Sequence, residues 1–149
     1  MKMSKNETGM TLIELLVVIV ILGIIAGIAI ISFSTIIQKS KDNAFVANAY
    51  TLKEAAEKYY LSSGSFTDES ALPLEIPFEV ILTSGFIEVF KDPDTSEMMP
   101  VSGNGTFVEI NNQAGALNYY ICYQGDERQL CDEDGKGILF QDLNISLIR

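Results

Sequence analysis

The chain has 149 residues, a formal net charge of −10 at pH 7, 48% hydrophobic residues and no histidine. This length allows one small domain beside any apolar segment, and the missing histidine excludes histidine-based acid–base catalysis and histidine metal ligands. No glycine-rich phosphate loop follows a predicted strand, so we expect no catalytic activity and no cofactor or metal. The acidic surface should repel phosphates, which argues against direct nucleic-acid contact.

The N-terminal part of the chain contains a long apolar run that begins after a short polar stretch. Residues 12–31 carry a single charge, Glu14. About twenty helical residues at 1.5 Å each span roughly 30 Å, the hydrocarbon thickness of a bilayer. The run is apolar on every side, as in a membrane-spanning helix. An ionisable side chain inside such a helix is costly and marks a function with a specific partner.

The stretch Gly9-Met10-Thr11-Leu12-Ile13-Glu14, followed by the apolar run, resembles the N-terminus of type IV pilins and pseudopilins. The resemblance implies that residues 1–9 are a leader and that a prepilin peptidase cuts between Gly9 and Met10. It also implies N-methylation of the new amine of Met10. Met10 stands where the family usually has phenylalanine, but it is also apolar, so we expect cleavage to survive.

The resemblance also implies a role for Glu14 in assembly. A carboxylate in hydrocarbon either protonates or finds a cation. Cleavage creates such a cation, the Met10 amine, and the family mechanism pairs Glu14 of one subunit with that amine of a neighbour. The alternative is that Glu14 is only a charge at the helix N-terminus, at the level of the lipid headgroups.

The charges around the apolar run predict the orientation of the precursor. Lys2 and Lys5 precede the run, and the acidic excess follows it. The positive-inside rule then places the leader in the cytoplasm and the C-terminal domain outside. We expect a single-pass membrane precursor whose residues 10–31 move from the bilayer into the core of a surface filament. The implied partners are the bilayer, the peptidase, an assembly platform in the membrane, and other copies of this chain or related pilins.

The helical pattern continues beyond the apolar run. No proline occurs between Thr11 and Leu72, and Ser62-Ser63-Gly64-Ser65 is a stop signal. We therefore predict one helix from near Met10 to near Ser62, with Glu54 and Lys58 as an i,i+4 ion pair. Spacings of three and four predict its buried stripe, which comprises Phe45, Ala49, Leu52, Ala56 and Tyr59.

Two glycines, Gly23 and Gly27, interrupt the apolar half of this helix. They favour close packing between helices, and the alternative is a weak point that stretches in a filament. Family members often have a proline near Ile31, which this chain lacks. Partial melting of the helix is therefore left open.

The rest of the chain predicts a small antiparallel sheet of three or four strands packed on the second half of the helix, in an α+β, pilin-like fold. Residues 32–149 form the globular domain, with a loop region over 63–105 and the sheet over 106–149. Within the loop region we predict a short helix before Gly85, although Phe78–Leu82 could also be a strand. Strands are predicted over 106–110, 117–123 and 137–140, with turns at Asn111-Asn112, Gly125-Asp126 and Asp134-Gly135.

Two cysteines, Cys122 and Cys131, flank the Gly125-Asp126 turn in the exported part of the chain. Their positions are compatible with a disulfide across a hairpin, and many pilins have a C-terminal disulfide loop. The alternative is two reduced thiols. The acidic clusters 126–127 and 132–134 match no complete calcium loop, so we interpret them as solvated turns.

The sequence therefore predicts a structural subunit of a type IV pilus-like filament. One alternative is a pseudopilin of a type II secretion or DNA-uptake machine. An alternative from another class is a membrane-tethered extracellular binding domain that does not polymerise.

Overall fold

The computed structural model describes residues 11–64, 72–113 and 115–149, without the side chains of residues 31 and 32. Helix α1 comprises Leu12–Ser62, and helix α2 comprises Phe78–Thr83. The strands are β1 Leu74–Pro77, β2 Phe107–Gln113, β3 Ala116–Gln124, β4 Gln129–Leu130 and β5 Ile138–Leu139. Two short 3₁₀ helices, Phe140–Asp142 and Ile145–Leu147, follow β5. The chain divides into two compact units, Met1–Lys39 and Ser40–Arg149.

Helix α1 confirms the predicted long helix, since it ends at Ser62 and begins at Leu12, within two residues of the predicted start. From Leu12 to Ile30 in the first unit, α1 is apolar apart from Glu14, and its large hydrophobic side chains are exposed on every side. In the second unit, one stripe of α1 is buried against the sheet, and this stripe includes the predicted Phe45, Ala49, Leu52 and Ala56. The predicted Tyr59 is only partly buried, and its neighbour Tyr60 is 2% exposed. A helix has 3.6 residues per turn, so both residues lie near the edge of the stripe, and Tyr60 is the one that reaches the core.

The sheet is antiparallel throughout and is organised around β3. Strand β2 pairs with β3 along one side, with Val108 opposite Ile121. On the other side of β3, β5 and β4 pair with successive segments of the strand, and β1 pairs with β2 at the far edge. The α+β fold with a long N-terminal helix and a small sheet is therefore as predicted. The sheet has five strands rather than three or four.

One face of the sheet and the buried stripe of α1 form the hydrophobic core. The Phe45 ring lies 4.3 Å from the Tyr123 ring, centroid to centroid, and thus joins α1 to β3. Helix α2 contributes two buried side chains, Phe78 and Ile81, which confirms a short helix rather than a strand before Gly85. The sheet contributes further large buried side chains, which include Ile76, Val108, Ile110, Ile121, Tyr123 and Leu130.

Strand β1 was not predicted, because it has only four residues, follows Pro73 and itself ends in Pro77. Pro77 ends it at the edge of the sheet, where a missing N–H is tolerated. The predicted turn at Asn111-Asn112 was wrong, since β2 continues to Gln113. Asn112 instead stabilises the turn that follows, where its side-chain oxygen accepts a hydrogen bond from the backbone N–H of Gly115 at 3.0 Å.

The predicted ion pair between Glu54 and Lys58 is not among the ion pairs of the described residues; the neighbouring pair, Lys53 and Glu57, forms instead. The ammonium of Lys53 lies 4.6 Å from the centre of the Tyr119 ring, so a cation–π interaction helps to hold the Lys53 side chain in place. Glu54 and Lys58 are exposed to solvent, where water competes for their charges.

Gly125 allows the β3–β4 turn to lie directly against the core. A Cβ atom at this position would lie 2.3 Å from Oδ2 of Asp92 and 2.8 Å from Cε2 of Phe45. The Gly125 N–H donates to the carbonyl of Arg128 at 2.8 Å, which closes the predicted turn. The close approach, rather than the backbone angle, therefore requires glycine here.

We predict that Gly125→Ala destabilises the second unit by about 1–3 kcal/mol, because Phe45 and Asp92 must move to admit the methyl group. Denaturant unfolding in detergent, followed by tyrosine fluorescence, measures the change. Gly23→Ala is the control, since no atom lies within 4 Å of a Cβ built there. Equal unfolding midpoints for the wild type and Gly125→Ala would contradict the steric argument.

Candidate functional site

The N-terminus of α1 is closed by a reciprocal pair of hydrogen bonds between Thr11 and Glu14. The backbone N–H of Thr11 donates to Oε2 of Glu14 at 3.3 Å, and the backbone N–H of Glu14 donates to Oγ1 of Thr11 at 3.4 Å. The Leu15 N–H donates to the Thr11 carbonyl at 3.2 Å, which begins the helical pattern. This arrangement is a capping box, and it satisfies N–H groups that a helix start leaves without partners.

The capping role of Glu14 was missed in the sequence, although its signal was present. A threonine followed three residues later by glutamate, immediately before an apolar run, is the pattern of a capping box. Glu14 therefore stabilises the start of α1 within a single chain, whether or not it also acts in assembly. The predicted processing site, Gly9 and Met10, lies outside the described residues, so its pairing with Glu14 stays a prediction.

The apolar half of α1 offers its whole circumference to the surroundings. From Leu12 to Ile30, the large hydrophobic side chains are between 48% and 90% exposed. Within the described residues, α1 is the one helix long and apolar enough to cross a membrane. At Gly23 and Gly27, no atom lies within 4 Å of a built Cβ, so each glycine leaves an open notch in this surface. A surface of this kind requires lipid or other apolar helices around it.

A disulfide joins Cys122 in β3 to Cys131, which follows β4, and this confirms the predicted pairing. Its S–S distance is 2.00 Å and the two Cα atoms lie 4.5 Å apart. Both cysteines are buried. The disulfide closes the β3–β4 hairpin at its base, and the predicted turn at Gly125-Asp126 forms the tip.

A buried carboxylate, Asp92, holds the tip of this hairpin against the preceding loop. Oδ2 of Asp92 accepts a hydrogen bond from the Asp126 N–H at 2.9 Å. Oδ1 of Asp92 accepts from the N–H groups of Asp94 and Thr95 at 2.7 and 3.2 Å. Three donors on one buried carboxylate compensate for its desolvation.

Arg128 joins the same loop to helix α1. Its guanidinium donates to both carboxylate oxygens of Asp94, at 2.7 and 2.9 Å, and to Asp42 on α1 at 2.6 Å. The hydrogen bond to Asp94 is the main cause of the raised pKa of Arg128. We call Asp42, Asp92, Asp94 and Arg128 the polar junction, because they connect the helix, the loop and the disulfide hairpin.

The acidic residues near the hairpin are partly used in ion pairs. Asp134 pairs with Lys136 at 3.3 Å, and Glu133 pairs with Arg149 at 3.2 Å. Over residues 11–64, 72–113 and 115–149, no group of three or more histidine, cysteine, aspartate or glutamate side chains is placed to hold a metal ion. The hydrogen bonds of Asp92 and Asp94 make these two residues structural acceptors in the polar junction.

Two tyrosines of β3 lie where ionisation is unfavourable. Burial, together with the negative charge of Glu57, raises the pKa of Tyr119 to about 12. Burial also raises the pKa of Tyr123 above its usual value, although Asn48 donates a hydrogen bond to its hydroxyl at 3.2 Å. Both phenols thus stabilise the fold only in their neutral form.

The chain is similar to known fimbrial proteins. Residues 4–30 match the family model of the prokaryotic N-terminal methylation motif. Two fimbrial proteins of Pseudomonas aeruginosa are 31% and 30% identical to the chain over 113 residues. Each alignment covers 76% of this chain and 66% of the relative, so the chain spans about two thirds of the length of these curated relatives. No solved structure gives a significant match.

We predict that Arg128→Leu destabilises the second unit by about 2 kcal/mol or more, because it leaves two partly buried carboxylates without their cation. Arg149→Leu is a matched control, since its ion pair with Glu133 is exposed and should contribute less than about 1 kcal/mol. Denaturant unfolding of both variants tests the difference. Equal effects of the two substitutions would contradict the role given to the polar junction.

We predict that stability falls as the pH rises above about 10, where tyrosines of the unfolded chain ionise. The folded-state pKa of Tyr119 is raised to about 12, so its contribution is complete below pH 10 and is lost between these values. The unfolding free energy of the wild type and of Tyr119→Phe, measured from pH 8 to 12, tests this. The variant should lose less stability across this range; parallel curves would show that Tyr119 is not responsible.

Proposed function

Because the chain belongs to the family of type IV pilins and pseudopilins, we propose that it is a structural subunit of a type IV pilus-like filament. The observation that carries the proposal is the apolar half of α1, which is exposed all round and lies within residues 4–30, the part of the chain that matches the motif. Its side chains need an apolar environment, and a bundle of identical helices provides one as well as a bilayer does. The role is structural rather than catalytic.

Processing precedes assembly in this proposal. A prepilin peptidase cuts between Gly9 and Met10 and methylates the Met10 amine. Before cleavage the chain is a single-pass membrane precursor, with Lys2 and Lys5 in the cytoplasm and the second unit outside the membrane. An assembly platform in the membrane then transfers the subunit to the base of a surface filament.

Glu14 guides this transfer by pairing with the Met10 amine of a neighbouring subunit. The capping box supports the assignment because it fixes the carboxylate at the first turn of α1, close in sequence to the cleavage site. The hydrogen bond from Thr11 uses Oε2 alone, and an ionised carboxylate can accept several further bonds. In a water-poor environment, a cationic donor is the partner that such a group favours most.

Two substitutions of Glu14 separate the capping role from the assembly role. Glu14→Gln keeps a side-chain oxygen for the Thr11 N–H but removes the negative charge, whereas Glu14→Val removes both. We predict that both variants are cleaved and inserted into the membrane, and that both lose at least about 90% of filament yield, because pairing with the amine needs the charge.

The measurement is the amount of subunit in sheared filaments relative to the amount in the membrane, in cells that carry the assembly machinery. Thr11→Val is the control for the cap, since it removes the Oγ1 acceptor and leaves Glu14 charged. Thr11→Val should retain most of the yield. Normal yield from Glu14→Gln together with low yield from Thr11→Val would assign Glu14 to capping alone and reject the pairing.

A pseudopilin of a type II secretion or DNA-uptake machine remains the alternative function within the family. The same capped helix and apolar surface serve a short pseudopilus equally well. Electron microscopy of the cell surface distinguishes the two, because a pilus extends far beyond the envelope and a pseudopilus does not. A membrane-tethered binding domain, the alternative from another class, would give neither structure.

A further inference from the structure

The sheet face turned away from the core carries two carboxylates that face each other. Glu75 in β1 is the direct cross-strand partner of Glu109 in β2, which is in turn the partner of Tyr120 in β3. Tyr120 is the partner of Leu139 in β5. We call Glu75, Glu109, Tyr120 and Leu139 the outer row. It crosses four strands on the face opposite Ile76, Val108 and Ile121.

The outer row is unfavourable for an isolated subunit. Like charges directly opposite on an antiparallel pair repel each other and destabilise the sheet. The sheet offers no compensation, since its five strands contain no lysine or arginine. Among the ion pairs of the described residues, none involves Glu75 or Glu109. A cation from outside the subunit would remove this repulsion.

The outward face of α1 in the second unit carries a suitable cation. Lys58 is exposed, and no ion pair of the described residues involves it. Leu61, which is 54% exposed, follows Lys58 by three residues and so lies on the same side of the helix. This face therefore combines one positive charge with apolar contact area, which complements the two carboxylates and the aromatic ring of the outer row.

We propose that the outer row of one subunit binds the outward face of α1 of a second copy, with Lys58 of that copy between Glu75 and Glu109. This inference rests on the proposed function, since it requires copies of the chain to meet. The two surfaces differ, so the contact is heterologous, and a heterologous contact that does not close into a ring produces an open helical filament. It would order the second units along the filament, separately from the contacts of the apolar half of α1.

Charge reversal at the outer row separates folding from assembly. Glu109→Lys places a cation directly opposite Glu75, which replaces repulsion by attraction within the sheet. We expect the variant to be processed, to form the disulfide and to unfold at an equal or higher denaturant concentration than the wild type. Its yield of sheared filaments should nevertheless fall by about tenfold or more, because the introduced ammonium would repel Lys58 of the neighbour.

Matched variants test whether Lys58 is the partner. Glu88→Lys makes the same charge change at an exposed site outside the sheet, and it should leave the yield within about twofold of the wild type. Lys58→Glu should restore assembly to Glu109→Lys, whereas Lys91→Glu, at another exposed lysine, should not. Restoration by both lysine variants, or by neither, would overturn the proposed contact.

Two further outcomes also decide against the contact. Normal yield from Glu109→Lys, alongside loss of assembly in Glu14→Val, would leave the filament function intact and reject the outer row as an interface. Loss of wild-type filaments on addition of a divalent-cation chelator, with recovery on adding calcium, would assign the two carboxylates to a metal instead. If the wild-type chain forms no filament of any length, the proposed function and this contact both fall.

Discussion

The structure depends on one constraint: the first half of α1 has no side that can face water. Its large side chains are at least 48% exposed from Leu12 to Ile30, and the bilayer and filament core of the proposed function would each cover them. The hydrophobic contribution changes little when the helix exchanges lipid for other apolar helices. In the proposed transfer from bilayer to filament, specific polar contacts must therefore provide the direction. Glu14 is the charged group of that segment, and the capping box fixes it at the helix start.

The second unit has a different requirement, which is the stability of a small domain. A single stripe of α1 covers one face of a five-stranded sheet, and the core that results is small. The disulfide and the polar junction add connections between elements that are distant in sequence. Arg128 is central here, because it connects the loop to α1 while its own hairpin is held by Asp92 and the disulfide.

Sequence patterns predicted the features that depend on local periodicity. The long helix, its buried stripe and the short helix before Gly85 follow from spacing and stop signals, and the disulfide follows from two cysteines flanking a turn. Strand β1 could not be predicted, because four residues that follow one proline and end in another carry little signal until β2 pairs with them. The polar junction could not be predicted from the sequence either, since Asp42, Asp94 and Arg128 are brought together only by the tertiary fold. The capping box, in contrast, has a sequence signal, which is the spacing of Thr11 and Glu14 immediately before the apolar run.

In the proposed function, this chain is processed at Gly9-Met10 and leaves the membrane as a polymer. The most direct test is intact-mass and N-terminal fragment analysis of the protein sheared from the cell surface. We predict a single N-terminus at Met10 that carries one methyl group, with residues 1–9 absent. Surface protein that still begins at Met1, or that remains wholly in the membrane fraction with its leader attached, would contradict it.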